Sequence, residues 1–150
     1  TEEGYIVRYR GKGSFIADQK LKRPISYLYD FTENMLSLGA EPTSVVLKSE
    51  LLELKDEKLS DTLQMPSGQR TAFHLTRLRC ANGEPILLED TYIPYYLCPG
   101  IELYNFSSSS LYHTLKERYS LNLYHANETI EAIIINKRFA ELLKCSARVP

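Results

Sequence analysis

Asn82-Gly83 lies between two runs rich in strand-forming residues, Ala72 to Arg79 and Ile86 to Ile93. An Asn-Gly pair supplies the two left-handed residues that a two-residue hairpin turn demands, so these runs form an antiparallel pair. Pro94 ends the returning strand, because proline cannot donate to a ladder. Side chains alternate along a strand, which places Phe73, Leu75, Arg77 and Arg79 on one face and His74, Thr76 and Leu78 on the other.

The rest of the chain mixes helices and strands around that hairpin. Tyr5 to Arg10, Gly11-Lys12-Gly13 and Ser14 to Ala17 form a second hairpin, with Arg8, Arg10 and Lys12 clustered at its tip. Asp18 to Pro24 is polar and basic and has the character of a linker. Leu28, Phe31, Met35 and Leu38 recur at helical spacing, and Gly39 supplies the left-handed stop. An extended stretch runs from Pro42 to Leu54, followed by a short polar helix over Asp56 to Leu63. Tyr95 to Asn105 is expected to be irregular. The serines Ser107 to Ser110 precede a helix with Leu111, Leu115 and Tyr119 on its apolar face. Asn122 to Ile135 is expected to be a strand, and Asn136 to cap a last helix carrying Phe139, Leu142 and Leu143. Without a strict strand-helix-strand rhythm, the order implies an α+β fold rather than a doubly wound parallel sheet.

Composition narrows the function classes. A chain of 150 residues suits one domain, and its formal net charge of −1 gives no global pull toward nucleic acid. Any nucleic-acid contact has to be local. Apolar runs such as Ala132 to Ile135 fall far short of the roughly 20 residues of a membrane span, and no signal peptide is visible. Cys80, Cys98 and Cys145 are odd in number and irregularly spaced, which suits reduced thiols in a cytoplasm. His74, His113 and His125 lack close ligand spacing, so neither a metal nor another cofactor is expected. Both ends have the look of a cut, at Thr1 and at Ala147 to Pro150, as in a fragment of something longer.

Several segments, in order, resemble the GntR family of transcriptional regulators, in its HutC branch. Gly4 to Ile16 resembles the wing of the winged helix-turn-helix. Tyr29 to Met35, with Leu38-Gly39 and Pro42, resembles the opening helix of the UTRA effector-binding domain. His74 to Arg79, Asn82 to Pro85 and Glu89 to Pro94 resemble its central hairpin, and Ser109 to Tyr112 and Glu128 to Ile134 continue the match. The resemblance implies residues 1–17 as the end of a winged-helix domain, 18–24 as linker, and 25–150 as a UTRA domain apparently lacking its final strands. It implies a chorismate-lyase-like fold, an antiparallel sheet flanked by helices. It also implies a cytoplasmic, homodimeric regulator, most often a repressor, whose grip on operator DNA responds to a small effector: a sugar phosphate, an amino sugar or a small carboxylate. Arg8, Arg10, Gly11, Lys12 and Gly13 would touch DNA. The alternative is a chorismate-lyase-like enzyme acting on a small anionic substrate.

The effector candidates are Arg77, Arg79, Glu89, Ser110, Tyr112, Asp30, Phe31 and Thr32. Two guanidiniums on one strand face repel unless an anion lies between them, and a ligand phosphate or carboxylate answers that need; acids of the chain itself would answer it too. Glu89 raises a question of register. A strict two-residue loop pairs Arg77 with Leu88 and turns Glu89 away, whereas a three-residue loop with a glycine bulge shifts the pairing by one and brings Glu89 beside the arginines. Ser110 and Tyr112 sit at a helix start, where free amides favour an anion and where a serine also serves as the cap. Asp30 falls where phosphate-binding relatives tend to carry a small hydroxyl residue, and its carboxylate would repel a phosphate unless it points away or caps the helix.

Overall fold

In the computed structural model, which describes residues 6–9, 13–16, 30–124 and 126–146, Asn82 and Gly83 take φ values of 52° and 80°. Left-handed backbone at both central positions is what a twist-matched two-residue hairpin requires. The strands it joins are β4 (Thr71–Ala81) and β5 (Glu84–Pro94). The side chain of Asn82 adds a tether: its Oδ1 accepts from the Glu41 amide at 2.9 Å, fixing the turn against the entry to β3 (Pro42–Glu53). The three strands form one antiparallel sheet in the order β3-β4-β5, with β4 central.

Upstream, β1 (Ile6–Tyr9) and β2 (Gly13–Ile16) pair antiparallel, Ile6 opposite Ile16 and Arg8 opposite Ser14. Arg10, Gly11, Lys12 and the linker 18–24 lie outside the described residues.

α1 (Phe31–Ser37) is capped by Asp30, whose carboxylate accepts from the amides of Thr32 and Glu33. It ends where Gly39 takes φ 73°. Phe31 and Met35 are buried, but Leu38 is 73% exposed, because the helix stops one residue before it and its side chain leaves the apolar stripe. α2 (Glu57–Thr62) is a surface turn capped by Asp56. The stretch between Tyr95 and Tyr104 is more ordered than expected: two 3-10 turns, Tyr95–Leu97 and Ile101–Leu103, bury Cys98 and Ile101 completely. α3 (Leu111–Tyr119) starts at the cap Ser110, and α4 (Lys137–Leu142) at the cap Asn136.

The expected strand over Asn122 to Ile135 is absent: residues 121–124 and 126–136 carry no strand. Its isoleucines give it strand propensity, but propensity makes a strand only when a neighbour completes the ladder. Ile130, Ile133 and Ile134 stand 87%, 63% and 74% exposed.

Two apolar clusters sit on one face of the sheet. Phe73 and Leu75 of β4 pack with Cys98, Ile101, Phe106, Leu111 and Leu115. Further along the same face, Ala81 packs with Phe31 and Met35 of α1. Arg77 and Arg79 fall between these clusters, which positions the candidate site at the seam where α1 and α3 meet over the sheet.

Candidate functional site

Arg77 and Arg79 are each only 3% exposed. Burial of a guanidinium requires a partner, and the partner is Glu89. Arg77 Nε donates to Glu89 Oε2 at 2.9 Å, Arg77 Nη2 lies 2.5 Å from the same oxygen, and Arg79 Nη1 lies 3.7 Å from it. The question of register is answered by a bulge. Ala81 faces Glu84 and Cys80 faces Pro85, but Arg79 faces Leu87, so Ile86 is the extra residue and Arg77 comes opposite Glu89. The bulge sits beyond a two-residue turn, not within a three-residue loop.

Arg79 is held by three contacts of different kinds. It donates through Nη2 to Thr32 Oγ1 at 2.9 Å, and its Cζ lies 4.5 Å above the centre of the Phe31 ring, a cation–π distance. Glu89 provides the third. Thus α1 contributes Phe31 and Thr32 to the arginine pair directly.

Asp30 joins the two helix starts. Its Oδ1 accepts from the Thr32 amide at 2.8 Å, while its Oδ2 accepts from the Ser110 hydroxyl at 3.2 Å. Ser110 Oγ in turn accepts from the His113 amide at 3.3 Å, capping α3. The serine therefore works as a cap, as one reading of the serine run expects. Tyr112 stands beside them; burial first, then the charges of Glu89 and Asp30, push its phenol pKa upward, partly offset by Arg77. It is a neutral hydroxyl at ordinary pH.

These residues surround a recess of about 10 Å³ lined by Asp30, Phe31, Arg77, Arg79, Glu89 and Ser110, with Leu111 and Tyr112. Beside it, and sharing Asp30, Ser110 and Tyr112, lies a cleft of about 450 Å³. The cleft adds Thr32, Glu33, His113, Lys116 and the stretch Leu121 to Tyr124. Every effector candidate named from the sequence thus lies at the recess or the cleft. His113 and Lys116 had no signal as pocket residues in the sequence, because they reach the cleft only through the packing of α3.

One donor of Arg77 is left over. Arg77 Nη1 is buried and has no hydrogen-bond partner among the described residues. An orphaned buried donor costs about 1–3 kcal/mol.

A second polar cluster, on the other face of the sheet, was not legible in advance. His74, 5% exposed, stacks on Tyr92 at 4.2 Å between ring centres, and its Nε2 lies 2.6 Å from Asp90 Oδ1. Thr76 Oγ1 donates to the same oxygen at 2.6 Å, and Glu50 Oε1 lies 3.6 Å from His74 Nδ1. Registry across β3, β4 and β5 makes the cluster, and one strand read alone does not reveal it. No group among the described residues is arranged to hold a metal ion. No helix among them is long and apolar enough to cross a membrane.

The UTRA domain model matches residues 37–150, from the end of α1 through α4. The chain belongs to the UTRA domain family. This UTRA chain is 27% identical to the uncharacterized HTH-type transcriptional regulator YurK of Bacillus subtilis, across 97% of this chain and 59% of that protein. It is 29% identical to the HTH-type transcriptional repressor NagR of the same organism, across 100% of this chain and 60% of that one. The crystal structure of the effector domain of PhnF from Mycobacterium smegmatis matches with a TM-score of 0.70 at 24% identity, covering 79% of this chain and 71% of that one. At that identity the likeness shows the fold alone, α+β with an antiparallel sheet. The UTRA chain spans about 60% of the length of the curated relatives it matches.

Proposed function

We propose that this UTRA domain is the effector-sensing part of a GntR/HutC-type transcriptional regulator, and that its effector is read at the recess between α1 and α3. The observation that carries this reading is Arg77: a guanidinium 3% exposed, with Nη1 unpartnered among the described residues, lining a recess that adjoins an open cleft. A ligand acceptor there would recover the cost of the orphaned donor. Relatives named as transcriptional regulators and repressors support the regulator over the lyase-like enzyme. The effector is a small metabolite, anionic or sugar-derived. The protein works in the cytoplasm as a repressor on operator DNA, and the β1–β2 hairpin with Arg8, Arg10, Gly11, Lys12 and Gly13 is the end of its DNA-binding module.

The mechanism follows from where the site lies. Asp30, Phe31 and Thr32 stand at the start of α1, a few residues after the linker 18–24. A ligand that binds one setting of α1 better than another shifts the population of linker arrangements, and with it the spacing of the DNA-reading heads. The test is operator affinity of the full-length regulator with and without a compound that stabilises this domain. A change of about fivefold or more supports the reading; identical affinity contradicts it. The homodimer is checked by sedimentation, where the proposal expects twice the chain mass of 17.3 kDa and a monomer would oppose it.

A further inference from the structure

The charges at the seam between α1 and α3 are already balanced by the chain itself. Arg77 and Arg79 bring two positive charges, and Glu89 and Asp30 bring two negative ones. The anion that an arginine pair needs is Glu89, at Arg77 Nε and Nη2 and near Arg79 Nη1. The hydroxyl and the amides at the α3 start are served as well: Ser110 donates to Asp30 Oδ2 and accepts from the His113 amide. Arg77 Nη1 is left without a hydrogen-bond partner among the described residues, and Arg77 lines a recess of about 10 Å³, enough for about one water-sized group.

We propose that Asp30 closes this recess to phosphate, and that the effector enters it with an uncharged hydroxyl, as a polyhydroxylated compound carrying no phosphate at that position. A phosphate is too large for the recess as it stands and would meet the Asp30 carboxylate at contact distance, where like charges repel strongly. A hydroxyl satisfies both sides, because its oxygen accepts from Arg77 Nη1 while its proton goes to a carboxylate oxygen of Asp30 or Glu89. An ammonium offers no acceptor to Arg77, and a carboxylate offers no donor to the acids. The remainder of such a ligand lies in the adjoining cleft of about 450 Å³, beside Tyr112 and His113. This inference rests on the recess being the effector site, but Asp30 can be tested without the effector in hand.

The experiment is a thermal-shift titration of the chain with inorganic phosphate, comparing wild type, Asp30→Ser and Asp30→Asn, each with and without Arg77→Ala. Serine keeps an N-cap for α1 while removing both the charge and the bulk of the carboxylate, and asparagine removes the charge alone. The expected result is no saturable shift in wild type. Asp30→Ser should bind phosphate at least about tenfold more tightly than wild type, Asp30→Asn should gain less, and both gains should vanish with Arg77→Ala. Saturable binding to wild type as tight as to Asp30→Ser overturns the proposal. So does a folded Asp30→Ser that gains nothing; if that variant fails to fold, absence of any gain in Asp30→Asn has the same force. A gain that survives Arg77→Ala overturns it too, since the phosphate would then be an adventitious ion only. Failure of every polyhydroxylated compound to stabilise wild type would count instead against the sensor reading, and the phosphate arms would still decide the role of Asp30.

Discussion

Asp90 shows how single side chains on this sheet depend on their neighbours. Burial pushes its pKa up, but hydrogen bonds from Thr76 and His74, together with the charges of His74 and Lys48, outweigh burial and hold it below its ordinary 3.8. A depressed carboxylate adds stability that is fully present above 3.8 and is lost as pH falls through the lower, folded-state value. Wild type should therefore melt higher than Asp90→Asn by a constant margin at neutral pH, and the margin should shrink only below 3.8. A margin that is constant down to the acid limit would show that the Thr76 and His74 contacts do not favour the charged form. Cys98 is the opposite case: burial first, then the charge of Glu102, push its thiol up to about 11, so it stays protonated and serves as packing. Residue identities announced the arginine pair, since two arginines on a strand face need an anion. They did not announce that the anion is internal.

Element boundaries were largely readable because their causes are local. Asp30, Asp56, Ser110 and Asn136 each cap the helix that follows, and Gly39 and Asn82-Gly83 mark where the chain must turn left-handed. The position of Ile86 as a bulge was not readable, because nothing in Glu84 to Leu88 distinguishes a strict ladder from a slipped one. The bulge matters most, since it decides which face Glu89 occupies. The strand expected at 122–135 failed for a related reason: apolar β-branched residues state a preference, but pairing requires a partner ladder. A double-mutant cycle tests the bulge. Arg77→Ala and Glu89→Ala should couple by about 1–3 kcal/mol, with Arg77→Ala alone costing about 3–5 kcal/mol through the carboxylate it strands. Arg77→Ala with Leu88→Ala should be additive within about 0.5 kcal/mol. The reverse pattern would mean a strict two-residue register, with Glu89 turned away from the arginines.

For the molecule as a whole, the sheet acts as a platform on which α1 and α3 meet. Their apolar sides fill two clusters, and their starts converge on the polar gap between them. On the proposed reading, the start of α1 is where a bound effector would act on the DNA-binding module. Long-range assembly of this kind is the part a sequence hides most. Asp30 and Ser110 are 80 positions apart and meet only because both helices pack on the same face. The most direct check of the central claim is a thermal-shift screen of the chain against neutral sugars, amino sugars, sugar phosphates and small carboxylic acids, repeated with Arg77→Ala. At a hundredfold excess over its Kd, a true effector adds about 2.7 kcal/mol, a rise of roughly 5–10 °C for a domain of this size. The account predicts at least one such rise in wild type and its loss in Arg77→Ala. A rise that persists undiminished in Arg77→Ala, or no rise with any compound, would contradict it.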